Sequence, residues 1–388
     1  MDNHGCTAHY AKRGNSPIDS ISVSSRSTEQ GKKSTKPAFL EFFAGSGLVA
    51  HALKSYFKAA WANDICEKKA AVYTANHGSK HFHRGSISDV NGRDLPDAML
   101  SWASFPCQDL SLAGLTAGIN GERSGLVWQW LRILDETPNR PPLLVAENVT
   151  GLVSVDNGSH YRILHEALRV RGYRVGAIVL DAIHWVPQSR PRVFVIAVQE
   201  GIDIPKALLG HGPNWLHPSF VEKVAKDLDG WLWWDMPKPP MRKKYLADII
   251  EWDAQCNEQK DADRNLLLIP EHHRAQLRKK GVAVAPGYKR TRNNKQVLEL
   301  RFDGVAGCLR TPKGGSSRQF VVLKRNGKLF TRLLTIRETA RLMGAPESFK
   351  LPGTYNDGYK AMGDAVAVPV ARYLAKHILA RLAQHAAG

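Results

Sequence analysis

Ala38-Phe39-Leu40-Glu41-Phe42-Phe43-Ala44-Gly45-Ser46-Gly47-Leu48-Val49-Ala50-His51-Ala52-Leu53 is the stretch on which the fold turns. Its first six residues are almost all apolar, as a strand covered on both faces requires. The two glycines then break the run, and an apolar helical stretch follows. A strand, a tight Gly turn and a helix form the first unit of an open α/β sheet. At such a turn, backbone without a Cβ approaches a ligand closely while the helix start offers free N–H groups. Plain strand-to-helix turns use the same glycines, so the turn alone does not decide for a ligand.

The pattern repeats outward from this point. Ala59 to Ala62 reads as a second strand and Ala70 to Asn76 as a helix. Asp97 to Ala103 is a third strand, and the segment from Leu126 to Asp135 is helical. Leu143 to Ala146, Tyr173 to Leu180 and Arg192 to Val198 read as strands, with a helix over 160–171. Alternation of this kind predicts an α/β fold with a mostly parallel sheet and helices on both faces. Ligands of such sheets bind beyond the carboxyl ends of the strands. Beyond residue 200 the alternation stops, and a smaller irregular domain is expected. The Trp231-Leu232-Trp233-Trp234 cluster reads as the core of that small domain. After Leu334 helix returns: Thr335 and Glu338 make a capping box, and a final helix runs from about Val368 to Ala386.

Composition narrows the class. Lys and Arg number 54 against 36 acidic residues, a balance of +18. Cations in such excess suit a polyanionic partner by displacing the counterions condensed on phosphates, although basic proteins without nucleic acid are common. From Glu271 to Arg332 the chain carries 16 Lys or Arg against Glu271, Glu299 and Asp303. Five widely spaced cysteines imply neither a disulfide framework nor a metal site. No apolar run is long enough to span a bilayer, so no membrane partner and a cytoplasmic location are expected. Residues 1–36 are too poor in large apolar side chains to build a core, and a disordered tail is expected there.

Four motifs follow strands. Gly45 and Gly47 in the first turn, with Asp64 at the end of the second strand, suit an adenosine cofactor whose ribose hydroxyls the acid would bind. Phe105-Pro106-Cys107-Gln108 sets a thiol where a thiolate can act as nucleophile, though a lone Cys is more often a small buried apolar residue. Glu147-Asn148-Val149 offers a carboxyl able to share a proton with a ring nitrogen, or a merely structural acid. Gln188-Ser189-Arg190-Pro191-Arg192 offers two guanidinium groups for a base carbonyl and a phosphate, or a basic surface turn.

With these motifs in this order, the sequence resembles the DNA (cytosine-5)-methyltransferase family. The resemblance covers about residues 37–200 and 330–380. It implies an α/β, Rossmann-like methyltransferase fold with a mixed, mostly parallel sheet, S-adenosylmethionine as cofactor and double-stranded DNA as partner. Cys107 would add to carbon 6 of a flipped cytosine, Glu147 would bind and protonate ring nitrogen 3, Arg192 would hold the base carbonyl, and Arg190 would support the site. For the cofactor it implies Phe43, Ile65, Ile87 and Pro106 about the adenine, Gly45 and Gly47 by backbone, and Asp64 on the ribose. Ser86 stands where the family often has an Asp that holds the adenine amino group. Asp364 stands in a Gly-Asn motif of the family, and its role is open because a carboxylate there faces the cofactor's own carboxylate. No metal is implied.

The expected arrangement is a catalytic and cofactor domain over 37–200, target recognition over 201–329, and helices over 330–388 returning to the first domain. Gln108 and Ser111 on the loop after the nucleophile, and Arg310, Lys313, Arg318 and Gln319 in a Gly- and Ser-rich stretch, are the expected DNA-facing residues. Arg suits guanine and Gln suits adenine, and contact with phosphate alone is an equal alternative. The family type implies a bacterial or phage origin, nucleoid association, a monomer, and the possibility of a restriction endonuclease acting independently. Two other readings are weighed. A transfer RNA cytosine-5 methyltransferase is disfavoured by the long basic region. A catalytically silent DNA-binding regulator is disfavoured by the intact Cys107, Glu147, Arg190 and Arg192.

Overall fold

The computed structural model describes residues 36–106, 125–279, 281–310 and 318–386. The expectation for residues 1–36 therefore concerns a segment almost wholly outside the described residues, and Cys107, Gln108, Ser111 and Lys313 also lie outside them.

A seven-stranded sheet dominates. In chain order its strands and flanking helices are β1 (Ala38–Phe42), α1 (Leu48–Leu53), β2 (Lys58–Asp64), α2 (Glu67–His77), β3 (Phe82–Arg84), β4 (Leu100–Ala103), α3 (Leu126–Glu136), β5 (Leu143–Asn148), α4 (Gly151–Ser154), α5 (Ser159–Arg169), β6 (Tyr173–Asp181) and β7 (Pro191–Gln199). The strand order is β3-β2-β1-β4-β5-β7-β6. The first five strands run parallel, and β7 lies antiparallel between β5 and β6. Because side chains alternate along a strand, Phe39, Leu100, Trp102, Leu143 and Val145 enter one core, while Leu40, Phe42, Ala103, Leu144 and Ala146 enter another. Apolar faces of α1 and α2 close the first core, and those of α3 and α5 the second. Burial on both sides is why these strands read as unbroken apolar runs.

The second region is more regular than expected. After α6 (Ser219–Ala225), α7 (Gln259–Leu267) and α8 (Glu271–Arg278), the strands β8 (Val284–Arg292), β9 (Lys295–Leu300), β10 (Gln319–Arg325) and β11 (Lys328–Leu333) form an antiparallel sheet in the order β11-β10-β8-β9. Its two hairpins turn at Asn293-Asn294 and Asn326-Gly327, all at positive φ, the backbone that two-residue hairpins demand. Strand β10 ties this sheet to the rest: Phe320 and Val322 enter the small core around Leu277 and Leu298, whereas Val321 and Leu323 enter the large one.

The tryptophan cluster corrects the sequence reading. Trp234 is buried in the large core beside Leu216 and Leu246. Trp231 pairs with Val175 of β6 and stacks on His165 of α5. The first stretch beyond residue 200 thus wraps the large sheet, because its indoles find more apolar surface there than the small sheet offers.

The chain then returns through α9 (Ile336–Leu342), α10 (Tyr355–Gly363) and α11 (Val368–Leu374), which continues through a π turn (Ala375–Leu379) into α12 (Ala380–Ala386). The Thr335–Glu338 capping box is present, and Glu338 also takes a buried ion pair from Arg332 at 2.6 Å.

Candidate active site and cofactor cleft

The carboxyl ends of β1, β2, β4 and β5 open into a cavity of about 770 Å³, a size that suits a nucleoside-type ligand. Phe43, Gly45, Asp64 and Ile65 line one side of it, Ser86, Ile87 and Pro106 another, and Glu147, Arg192, Arg310 and Asp364 complete the wall. Sequence positions 43 and 364 thus meet in one cleft.

The first turn is shaped for approach. Gly45 has φ +56°, and a Cβ there would meet only Lys69 Cδ and the Phe43 carbonyl at 3.9 Å, while Phe43 holds φ +57°, a conformation that side chains rarely accept outside functional sites. Asp64 secures the turn: its Oδ2 accepts from the Gly45 N–H at 2.9 Å and its Oδ1 from the Cys66 N–H at 2.8 Å. A carboxylate has further lone pairs for a ligand hydroxyl. Ser86 caps a short turn by accepting from the Ser88 N–H, and this turn presents Ile87. Ile65 is 71% exposed, an unusual state for Ile and one that suits an apolar ligand face. Gly47 is different. It does not line the cavity; a Cβ there would meet the His77 ring at 2.6 Å, so its role is the close packing of α1 against α2.

Asp364 finds a cation. Lys69 Nζ lies 2.6 Å from its carboxylate. Burial pulls the Lys69 ammonium down, but the charges of Asp364 and Asp64 outweigh burial and hold it above its usual value. The pair lets a carboxylate stand in this cleft without leaving a bare negative charge.

At the far wall Glu147 is buried at the end of β5. Burial raises its pKa, and the charges of Arg192 and Arg190 with a hydrogen bond from Ser104 draw it back only in part. Arg192 Nε lies 3.2 Å from Glu147 Oε1. Asn148, which the motif carried without a role, donates from Nδ2 to the Phe105 carbonyl at 2.9 Å. It thereby ties β5 to the segment that leads to Cys107.

Arg190 is 2% exposed. Its guanidinium donates to the carbonyls of Leu309, Gly363 and Ala365 and to Cys308 Sγ. Phosphate is out of its reach; it clamps two distant segments of the cleft wall together. Burial, then the Arg192 charge, lower its pKa to about 10, which leaves it ionised at neutral pH. Gln188 works alongside: its Oε1 accepts from the Leu309 N–H and its Nε2 donates to the Leu342 carbonyl. Cys308 and Leu309, which sequence reasoning missed, are the hub of these contacts; no motif flagged them.

The expected DNA-facing residues separate. Arg310 is exposed at the junction of the cleft and a second hollow of about 730 Å³, which Arg290, Arg292 and Arg301 of the small sheet also line. Arg318 donates to Asn356 Oδ1 of α10 at 2.6 Å. Gln319 is 0% exposed; its amide lies against the Tyr288 hydroxyl and its backbone N–H donates to Tyr359. This corrects the expectation that it reads a base: as the first residue of β10 it points inward, and its polar groups serve the interior.

A doubly wound sheet with one reversed strand and a nucleoside-sized cleft at its carboxyl edge define a Rossmann-like fold with a cleft of cofactor size. The chain belongs to the C-5 cytosine-specific DNA methylase family, whose model matches residues 38–380. It is 28% identical over 349 residues to the Type II methyltransferase M.HhaI of Haemophilus parahaemolyticus, covering 89% of this chain and 95% of that one. It is 28% identical to M.Bsp6I of Bacillus sp., covering 87% and 96%. Among solved structures, S. pombe Dnmt2 superposes with a TM-score of 0.58 at 21% identity, over 90% of this chain and 99% of that one. A Spodoptera frugiperda DNMT2 mutant superposes with a TM-score of 0.59 at 18% identity, over 88% and 99%. These two likenesses speak for the fold. As a member of the family, the protein transfers a methyl group from S-adenosylmethionine to carbon 5 of cytosine in DNA. Among the described residues, no helix is long and apolar enough to cross a membrane.

Proposed function

We propose that the cleft performs this transfer on a cytosine flipped out of a duplex, with Cys107 as nucleophile. The observation that carries the reading is the meeting of Glu147, Arg192 and the Phe105-Pro106 lead-in to Cys107 at one end of the cavity whose other end holds Phe43, Asp64 and Ile65. A stacked base is out of reach of these groups, so extrusion is required. Asp64, Ile65, Ser86, Ile87 and the Gly45 backbone would hold S-adenosylmethionine, which when bound supplies an electrophilic methyl group.

The Cys107 thiolate adds to carbon 6, forming the sulfur–carbon bond. Glu147, whose pKa burial raises, shares a proton with ring nitrogen 3, which draws the electron pair and leaves carbon 5 enamine-like. Arg192 holds the base carbonyl, and Arg190 keeps the Cys308–Arg310 wall in place. After carbon 5 accepts the methyl group, its proton passes to solvent, the electron pair re-forms the carbon 5–carbon 6 double bond and expels the Cys107 thiolate, and ring nitrogen 3 returns its proton to Glu147. The exposed cations of the small sheet would choose the sequence, with Arg310 nearest the base. The protein would modify one specific site as a monomer, and a cognate restriction endonuclease, where one exists, would act independently of it.

A duplex carrying 5-fluorocytosine tests the mechanism, because fluorine at carbon 5 cannot leave as the proton does. Mass spectrometry should find a covalent DNA adduct on Cys107 when S-adenosylmethionine is present. The Cys107→Ser protein should form none. Adduct formation at another residue would overturn the assignment.

A further inference from the structure

We infer that Glu41 is the acid that ionises when a cationic group of S-adenosylmethionine enters the cleft, so that cofactor binding releases a proton. The inference rests on the placement of the cofactor in this cavity. Glu41 lies near the carboxyl end of β1, is 1% exposed, and contributes to the cavity wall. Its carboxyl is reached by the Ala50 N–H of α1 and the Tyr73 hydroxyl of α2, yet Oε2 is buried with no hydrogen-bond partner among the described residues. A buried acceptor with nothing to accept from is costly unless a ligand completes it.

The surroundings favour the neutral acid until a cation arrives. Burial, opposed by the Ala50 N–H and abetted by the Asp64 charge, raises Glu41 to about 8. Of the four cations on the wall, Lys69 is engaged with Asp364 and Arg192 with Glu147, and none of the four, Arg310 and Lys360 included, is among the charges that act on Glu41. S-adenosylmethionine brings an ammonium and a sulfonium; S-adenosylhomocysteine brings only the ammonium. Either positive group favours the carboxylate.

An exit for the proton exists. Tyr73 Oη contacts Glu41 on one side and lies 3.1 Å from His81 Nε2 on the other, so a shift through the hydroxyl can pass a proton to the half-buried imidazole and on to solvent. Burial works against a charge on the other groups facing this position: it lowers His77 and His81 and pushes His51 of α1 to about 4. Tyr73 is held far above its usual value by burial and by Glu41. The adjoining strand β4 offers no titratable side chain.

The test is calorimetric titration of the full chain with S-adenosylmethionine at pH 7 in two buffers of different ionisation enthalpy, with S-adenosylhomocysteine as the parallel arm. Wild-type protein should release up to about one proton, and affinity should rise by up to roughly tenfold per pH unit between pH 6 and 8. Glu41→Gln should bind with no release and a flat pH profile. Release with S-adenosylmethionine alone identifies the sulfonium as the trigger, and equal release with both ligands identifies the ammonium. Tight binding without release from the wild type overturns the inference, and so does unchanged release from Glu41→Gln; the wild-type result stands even if that variant fails to fold. Separately, unchanged S-adenosylmethionine affinity in Asp64→Ala would show that the cavity is not the cofactor site.

Discussion

Replacing Arg190 with Met removes a clamp while leaving its volume nearly filled. The guanidinium donates to the carbonyls of Leu309 at 3.0 Å, Gly363 at 2.8 Å and Ala365 at 2.6 Å. Hydrogen bonds to a charged group are each worth about 1.5–3 kcal/mol, and a buried carbonyl left unpaired costs about 1–3 kcal/mol. Against this stands the cost of burying the wild-type charge, visible in the lowered pKa. The net expectation is a loss of about 3–5 kcal/mol, the range for removing one partner from a buried ionic contact. Spread over a chain of this size, that lowers Tm by about 4–7 °C. The effect should also be local. Leu309, Gly363 and Ala365 all line the cofactor cavity, so the KM for S-adenosylmethionine should rise more than the stability loss alone explains. Differential scanning calorimetry and steady-state kinetics on the same preparation read both quantities. A loss under about 1 kcal/mol with an unchanged KM would refute the clamp, since unpaired buried carbonyls cannot be that cheap.

Four further outcomes are expected. Glu147→Gln should lower kcat by about 10²–10⁴, the usual worth of a positioned general acid, while the melting curve stays near wild type; turnover within tenfold would remove Glu147 from the chemistry. Asp64→Ala should weaken S-adenosylmethionine binding by about 1.5–3 kcal/mol, and calorimetry should show a smaller loss for Asp64→Asn, which keeps one oxygen for the turn. In a randomised duplex library, Arg310→Ala should relax one position at a cost of roughly 1–3 kcal/mol, whereas Lys279→Ala should weaken all sequences alike and flatten the salt dependence by about one unit. Gln319→Ala should lower stability and leave the methylation profile unchanged; an altered profile would contradict the interior role assigned to it.

The large sheet was legible because its strands are covered on both faces, so that apolar runs such as Leu143 to Ala146 stand out against polar loops. A mixed sheet was expected from the family resemblance, but that β7 is its reversed strand was not legible, since pattern alone does not distinguish a parallel partner from an antiparallel one. The small sheet was missed although Asn293-Asn294 and Asn326-Gly327 are turn signals in plain view; its strands carry so many Lys and Arg that alternation is masked. Motif residues that follow strands met in the cleft as the topology rule requires. Lys69, the partner of Asp364, and Cys308 could not be read, because each acts through residues far away in the chain. Gln319 misled because a polar residue in a Gly- and Ser-rich stretch resembles a reader of bases, and only burial shows that it serves the core.

The account stands or falls on methyl transfer itself. Duplex DNA of random sequence and a matched RNA pool, each incubated with labelled S-adenosylmethionine and the full chain, followed by bisulfite sequencing, give the direct measurement. Label should appear in DNA at carbon 5 of cytosine within one recurring sequence, and the Cys107→Ser protein should give none. Label confined to RNA, or Cys107→Ser turnover within tenfold of wild type, would contradict the account.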